Sequence, residues 1–311
     1  MMGDSMQIMV VMIAYMLVVI GIGVAFARRA NQSSEDYFLG GRTLGPWVTA
    51  MSAEASDMSG WLLMGLPGVA YWCGISDAAW TAIGLAAGTY INWLITSKRL
   101  RRYSEKANAI TLPEFFSNRF HEQGKVIMTI AALFILIFFT VYAASCLVTC
   151  GKLFSTLFGL GYVPMMIVGA VFVLVYTIIG GFLAESASDF MQAVVMIVAL
   201  LVIVLTGTAA AGGLDAVLDN ARSIPGFLDF FGIATPVTVD GMQQAVNGVP
   251  QFGEAGSYGF LSIVSTLAWG LGYFGMPQVL LRFMAIRHER ELTASRRIAT
   301  VWVLISLAVA V

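Results

Sequence analysis

The sequence contains little charge. Only 11% of its 311 residues are Asp, Glu, Lys or Arg, whereas 59% are hydrophobic. Because soluble domains carry about 25% charged residues, this composition excludes a soluble globular domain and predicts a protein that crosses the lipid bilayer several times. The net charge of −1 says little about partners, because the distribution of charge matters more. We expect no nucleic-acid partner.

Cysteine and histidine are also scarce. Cys73, Cys146 and Cys150 are too few, and odd in number, for a disulfide framework. His121 and His288 lie in polar connections without a partner at metal-ligand spacing, so we expect no cofactor. The apolar run at residues 6–27 is long and lacks a small-residue cleavage site, which predicts a retained spanning helix rather than a signal peptide.

Apolar runs of about 20 residues predict the spanning helices. We predict spans at residues 6–27, 46–71, 76–97, 126–149, 163–182, 187–211 and 257–285. An eighth run begins near Ile298 and stops at Val311, which is too short to span, so we expect a truncated chain. A short amphipathic helix is expected from Thr111, and residues 212–256 form a long acidic connection.

The positive charges indicate how these spans are oriented. All lysines and arginines except Lys152 and Arg222 fall in connections or helix ends on one side of the membrane. Because basic loops stay in the cytoplasm, this distribution predicts an external N-terminus and cytoplasmic basic loops.

The second predicted span contains polar residues where a purely lipid-crossing helix needs none. Glu54, Asp57 and Ser59 lie near its middle, and Gly60 and Gly65 follow. An ionised Asp at the centre of a membrane helix costs about 2.5–3.5 kcal/mol on insertion scales, so it indicates a functional site. The glycines favour an unwound segment, whose free backbone groups persist at this depth where they bind a ligand or line a cavity.

The seventh predicted span is interrupted as well, by glycines at 270, 272 and 275 and by Pro277. Because the seventh span comes five spans after the second, an odd difference, the two spans run in opposite directions. Two interrupted helices in this arrangement are typical of transporters built from inverted repeats, which bind substrate at the breaks. Two unrelated kinked helices are the alternative.

The chemistry of the two breaks can be inferred from their residue types. The Ala55 and Met58 carbonyls, with Asp57 nearby, could provide oxygen ligands for Na⁺. Trp269 and Tyr273, with Tyr142, could surround a small apolar body that carries a cationic amine. Each of these aromatic residues could instead be a packing residue.

Four segments resemble the sodium:solute symporter family, and within it the carriers of proline. They are residues 38–47, 55–68, 180–184 with Asp189 and Gln192, and 269–277. The resemblance implies an all-α, multi-pass plasma-membrane transporter, not an enzyme, with a five-plus-five inverted-repeat fold. The implied activity is Na⁺/proline symport by a longer parent protein.

The resemblance also implies a division of the chain. A first spanning helix and cytoplasmic loop occupy 1–45, the first repeat of five spanning helices occupies 46–211, an extracellular loop occupies 212–256, and an incomplete second repeat occupies 257–311.

The implied site residues fall into three groups. Sodium would be bound or guided by Ala55, Asp57, Met58 and Asp189, and Arg42 would belong to a loop linked to coupling. Proline would be bound by Ser59, Trp61, Gly65, Tyr142, Trp269, Tyr273 and Pro277. The family completes its sodium site from a later helix, so we expect no transport by these 311 residues alone.

The sequence departs from the family in two further respects, and three other functions compete with the implied one. Glu54 stands where a small residue is commoner, and the 212–256 connection is unusually long. A sodium-coupled carrier of another small organic solute and a symporter-like sensor domain remain alternatives. An intramembrane aspartyl protease does not fit, because Asp57 and Asp189 both follow Ala-Ser rather than Gly-x-Gly.

Overall fold

The computed structural model describes residues 2–311, and most of them are helical. The helices are α1 (Met2–Ala30), α2 (Ser34–Leu39), α3 (Pro46–Gly60), α4 (Leu66–Cys73), α5 (Ile75–Ile95), α6 (Ser97–Lys106), α7 (Leu112–Arg119), α8 (Val126–Phe158), α9 (Tyr162–Ala210), α10 (Leu214–Ser223), α11 (Phe260–Leu267), α12 (Pro277–Ala285) and α13 (Leu292–Ala310). A π-helical turn, Trp61–Gly65, joins α3 to α4, and a 3₁₀ segment, Ala268–Gly275, precedes α12.

Within the described part of the chain, four helices are long and apolar enough to cross a membrane. They are Met6–Ala30, Val126–Phe158, Tyr162–Ala210 and Glu289–Ala310. A fifth candidate is the pair Phe260–Gly275 and Pro277–Ala285, which is bent by 45°. The predicted multi-pass membrane protein is confirmed at this level, and the bend confirms the predicted interruption of the seventh span.

Two predicted spans and the eighth apolar run differ from the structure in detail. The 46–71 span is divided between α3 and α4, so neither part is long enough alone. The 76–97 span forms α5 at the expected place. Polar residues such as Asp77 and Asn92 lower its mean hydropathy, so α5 is not among the four helices above. The eighth run was predicted to be too short to span, and that prediction is wrong, because its helix begins before the apolar run, at Leu292.

The predicted spans at 163–182 and 187–211 lie in one helical stretch of 49 residues. A straight helix of that length would measure about 73 Å, more than twice the hydrocarbon thickness of a bilayer. The backbone departs from helical geometry at Gly181 (φ 56°, ψ −157°), near the end of the predicted 163–182 span. The bend therefore divides α9 into two segments.

The acidic connection at 212–256 contains regular secondary structure. After α10 it forms three antiparallel pairs of two-residue strands, Gly232–Ile233 with Gly256–Ser257, Thr238–Val239 with Met242–Gln243, and Ala245–Val246 with Val249–Pro250. The second and third pairs close through Asp240-Gly241 and Asn247-Gly248, whose positive φ values suit tight hairpin turns.

Packing divides the chain into two units. Unit 1 contains the chain up to Asp57, Ile95–Ala193 and Pro277–Arg296. Within it α6 packs on α12 and α7 packs on α8. The predicted short helix from Thr111 is α7, and Thr111 caps it by accepting from the Glu114 amide at 3.3 Å.

Unit 2 contains Met58–Leu94, Val194–Met276 and Arg297–Val311. Gly84 and Gly88 form a small-residue face on α5, which packs here against the end of α11 and the 3₁₀ segment. A Cβ added at Gly84 would meet the Leu267 carbonyl oxygen at 2.6 Å, and one added at Gly88 would collide with the Gly270 carbonyl. Glycine therefore allows the two backbones to approach closely, as small residues do in membrane helix interfaces.

Candidate functional site

The helical backbone of α3 is interrupted at Ser59. This residue has φ 49° and ψ −162°, a conformation that is uncommon for a residue with a side chain. Its hydroxyl accepts from the Trp61 amide at 3.4 Å, at the start of the π-helical turn. The sequence pointed to Gly60 and the residues after it, so the interruption lies one residue earlier than expected.

The turn before this interruption contains the predicted sodium ligands. Ala55, Asp57 and Met58 all lie within the last turns of α3. Carbonyl oxygens at a helix end lack the usual intrahelical partner and are available to other donors or to a cation. The Asp57 carbonyl accepts from the Tyr142 hydroxyl at 3.5 Å, the outer limit of a hydrogen bond, within unit 1.

Two predicted substrate residues form an aromatic pair in unit 2. The rings of Trp61 and Trp269 lie 5.2 Å apart at an angle of 47°. Gly65 lies close to Trp61, since a Cβ at position 65 would come within 2.7 Å of the Trp61 Cδ1. Trp269 is 53% exposed, so its ring is not a buried packing group.

Tyr273 is buried in the same unit, and both its side-chain hydroxyl and its backbone carbonyl make contacts there. Its hydroxyl lies 4.0 Å from the Met58 sulfur, and its carbonyl accepts from the Asn92 amide at 2.8 Å. Asn92 was not among the predicted site residues. An amide near the carboxyl end of a predicted span was the available signal, because such groups often hydrogen-bond between membrane helices.

Pro277 was expected to break the helix by clashing with the preceding turn. The structure places it instead at the first position of α12, after Met276 with an extended backbone (φ −73°, ψ 106°). Proline is well suited to that position because its missing N–H would have no intrahelical partner there. The proline therefore starts the second half of the bent span.

Asp189, predicted for the cation path, lies in a buried ionic cluster of unit 1. Its Oδ2 accepts from the Ser52 hydroxyl at 2.7 Å and from an Arg282 Nη2 at 2.9 Å. The same Nη2 lies 2.9 Å from a Glu185 carboxylate oxygen. The Arg282 guanidinium also lies 4.9 Å from the centre of the Phe182 ring.

Arg282 is the main residue that the sequence analysis missed. It had been counted among the basic helix ends, yet its side chain is only 2% exposed and forms an ion pair with Asp189. A charged residue within a predicted span was the available signal. Two carboxylates face one guanidinium, so the cluster has more negative than positive side chains among Arg282, Asp189 and Glu185.

Arg42, predicted for a coupling loop, lies in the 3₁₀ turn Gly40–Arg42 of unit 1. Its guanidinium is bound by the Glu35 carboxylate at 2.9 Å and by the carbonyls of Met284 at 2.9 Å and Ala109 at 2.8 Å. Burial lowers the pKa of Arg42, but an arginine so well supplied with acceptors stays charged. Arg42 therefore joins residues that are distant in sequence.

A cavity of about 610 Å³ lies in unit 2, between α10 and the last hairpin of the 212–256 connection. Tyr71, Asn220, Phe227 and Phe252 are among the residues that line it, and none of the predicted site residues does so. Glu54, the unexpected carboxylate, is buried in unit 1 at 2% exposure.

Comparison with known proteins identifies the family to which the chain belongs. Residues 37–311 match the profile of the Sodium:solute symporter family. The chain belongs to the sodium:solute symporter family, as four of its segments indicated.

Several curated relatives are similar over the whole chain. The Sodium/proline symporters of Salmonella typhimurium and Escherichia coli are each 40% identical over 311 residues, which is 100% of this chain and 57% of theirs. The Sodium/proline symporter of Staphylococcus aureus is 39% identical over 307 residues, 98% of this chain and 55% of its own length. The chain thus spans little more than half the length of these relatives.

A solved structure shares the fold. A Na⁺-coupled sialic acid symporter, described in a substrate-bound outward-open state, superposes with a TM-score of 0.76 at 16% identity. The match covers 97% of this chain and 60% of that one. At this identity the likeness concerns the fold alone.

Proposed function

We propose that the full-length protein carrying this sequence takes up proline together with Na⁺. The observation that supports this most is 40% identity over all 311 residues to relatives named Sodium/proline symporter. The interrupted α3 supports it chemically, because the interruption leaves carbonyl oxygens for a small hard cation. Na⁺ is here a transported ion, and proline the transported solute.

The sodium ion would be bound by the carbonyls of Ala55 and Met58, with Asp57 supplying negative charge nearby. The position of these residues in the turn before Ser59 supports this assignment. Asp189 would contribute to the cation path. Because Asp189 is ion-paired with Arg282, its carboxylate would interact with a passing Na⁺ and with the Arg282 guanidinium at the same time.

Proline would be bound at the two interruptions by Ser59, Trp61, Gly65, Tyr142, Trp269, Tyr273 and Pro277. The paired indoles of Trp61 and Trp269 support this assignment, since they offer an apolar surface to the ring and a π face to the ammonium. An ammonium over an exposed aromatic face contributes about 0.5–1 kcal/mol, and about 2 kcal/mol when the site is desolvated.

The architecture would be a five-plus-five inverted repeat in the plasma membrane. We assign residues 1–45 to a first helix and cytoplasmic loop, 46–211 to the first repeat, 212–256 to an extracellular loop and 257–311 to the start of the second repeat. The N-terminus would be outside. The interruptions at Ser59 and at Met276 support this arrangement, because each would lie in the first span of one repeat.

The test is uptake by the full-length protein in sealed vesicles. One Na⁺ entering down 100 mV releases about 2.3 kcal/mol, and a tenfold Na⁺ gradient adds about 1.4 kcal/mol. At one-to-one coupling the total of about 3.7 kcal/mol supports roughly 500-fold accumulation, since each 1.4 kcal/mol is tenfold. With the potential clamped at zero, accumulation should fall to about tenfold.

The Asp57→Asn variant tests the sodium assignment in the same vesicles. We expect it to weaken apparent Na⁺ affinity much more than proline affinity at saturating Na⁺, because it removes charge at constant volume. Proline that only equilibrates, whatever the Na⁺ gradient, would exclude coupled transport. Accumulation of another small solute instead of proline would favour the alternative carrier, and Na⁺-dependent binding without uptake would favour the sensor.

A further inference from the structure

The carboxyl end of α12 is held by donors from outside the helix. The last carbonyls of a helix lack intrahelical partners and form its negative pole. Here the Met284 carbonyl accepts from Arg42 at 2.9 Å, and the Ala285 carbonyl accepts from the Leu44 amide at 3.2 Å. The Arg287 amide completes the connection by donating to the Leu44 carbonyl at 3.0 Å.

Arg101 of α6 supplies the remaining donors. Its Nε donates to the Ile286 carbonyl at 2.7 Å, and its Nη2 donates to the Arg287 carbonyl at 3.3 Å. Its Nη1 is paired with Glu105 at 2.7 Å. The Arg101 side chain is only 6% exposed, although it belongs to a helix with the basic sequence Lys-Arg-Leu-Arg-Arg. We call Arg42, Leu44 and Arg101 the α12 collar.

The collar holds four consecutive carbonyls, from Met284 to Arg287, and all of these groups lie in unit 1. At its other end α12 begins at Pro277, immediately after the 45° bend of the span. One end of α12 is therefore fixed by charged hydrogen bonds, whereas the other end adjoins a backbone junction. A change of angle in this span would occur at the junction, because the collar resists movement at the far end.

We propose that Arg101 is a positioning residue for transport, which fixes the carboxyl end of α12 so that the bent span changes its angle at the junction before Pro277. This inference rests on the proposed Na⁺-coupled uptake. Arg101 would touch neither Na⁺ nor proline, and it would govern the rate of the transport cycle rather than the binding of either. It would act together with Arg42, which donates to the same end of α12.

Lysine cannot reproduce this role. A guanidinium presents several donors in a rigid plane, and Arg101 uses them on two carbonyls and one carboxylate. A lysine ammonium keeps the positive charge but lacks this rigid, planar arrangement of donors. Arg102, the next residue, is the matched control, because it carries the same group in an exposed ion pair with Glu289 at 2.6 Å.

The test compares Arg101→Lys with Arg102→Lys in the full-length protein. We expect Arg101→Lys to lower the maximal rate of Na⁺-driven proline uptake about tenfold, while half-saturation by Na⁺ and by proline changes less than about twofold. Arg102→Lys should change each quantity by less than about twofold. Na⁺-dependent proline binding, which both variants should retain, verifies that they fold.

Hydrogen exchange of the Leu44 and Arg287 amides tests the collar without any substrate. We expect Arg101→Lys to accelerate their exchange roughly tenfold, because a charged hydrogen bond is lost, and Arg102→Lys to leave it unchanged. Normal uptake by Arg101→Lys, or a rate loss explained by weaker proline binding, would overturn the proposal. Unchanged exchange would overturn it as well. If the unsubstituted protein accumulates no proline, the proposed function fails, whereas exchange still decides whether Arg101 fixes α12.

Discussion

Replacement of Arg282 by methionine should strongly destabilise the protein. The Arg282 side chain is 2% exposed and is the cation facing Asp189, which is 9% exposed. Methionine fills much of the same volume but leaves the Asp189 carboxylate buried without its cation. Removing one partner of a buried ion pair costs about 3–5 kcal/mol. Because Glu185 is 33% exposed and stays partly solvated, we expect a value near the lower end.

A loss of about 3 kcal/mol changes the ratio of folded to unfolded protein more than about a hundredfold. The assay is equilibrium unfolding of the purified full-length protein in mixed micelles, followed by tryptophan fluorescence. The double variant Arg282→Met/Asp189→Asn should regain at least about 1 kcal/mol, because a neutral amide tolerates the apolar neighbour better than a carboxylate does.

An exposed ion pair provides the control for this experiment. Arg102→Met breaks the pair with Glu289 in solvent, where such pairs contribute little, so its unfolding midpoint should match that of the unsubstituted protein. If Arg282→Met unfolds at the same midpoint as Arg102→Met, the cluster does not stabilise the fold. If the double variant shows only the sum of the two single losses, Arg282 and Asp189 are not energetically coupled.

Two further predictions concern unit 2 in the same full-length protein. Gly88→Ala should lower the unfolding midpoint because its Cβ would collide with the Gly270 carbonyl, whereas Gly207→Ala meets nothing within 4 Å and should gain up to about 1 kcal/mol from helix propensity. An equal or higher midpoint for Gly88→Ala would contradict the close approach. Asn92→Ala removes the donor to the Tyr273 carbonyl, so proline half-saturation should rise about three- to tenfold while Na⁺ half-saturation stays constant. An unchanged proline half-saturation would mean that Asn92 does not position Tyr273 for binding.

The sequence was sufficient where the deciding interactions are local or compositional. Apolar runs predicted membrane helices, and the Thr111 to Glu114 spacing predicted the start of α7. The glycines and Pro277 predicted an interrupted seventh span, which the structure bends by 45°. These features depend on backbone propensities within a few residues or on side-chain hydrophobicity, both of which the sequence states directly.

Details at the ends of helices were less predictable. The eighth run forms a helix long enough to span, because polar residues from Leu292 onward join it, although hydropathy alone excluded them. The interruption of α3 falls at Ser59 rather than at a glycine. A strained backbone at a serine persists only where surrounding contacts enforce it, and those contacts are not local.

The sequence by itself determined that this is a membrane protein with two interrupted helices and with unusual polar residues in its second span. Only the tertiary structure decided which groups those polar residues meet. Arg282 pairs with Asp189, 93 positions away, and Arg101 donates to the Ile286 carbonyl, 185 positions away. The physical reason is that a buried charge requires a partner, but local sequence preferences do not specify which distant acceptor the packing of the helices brings within reach.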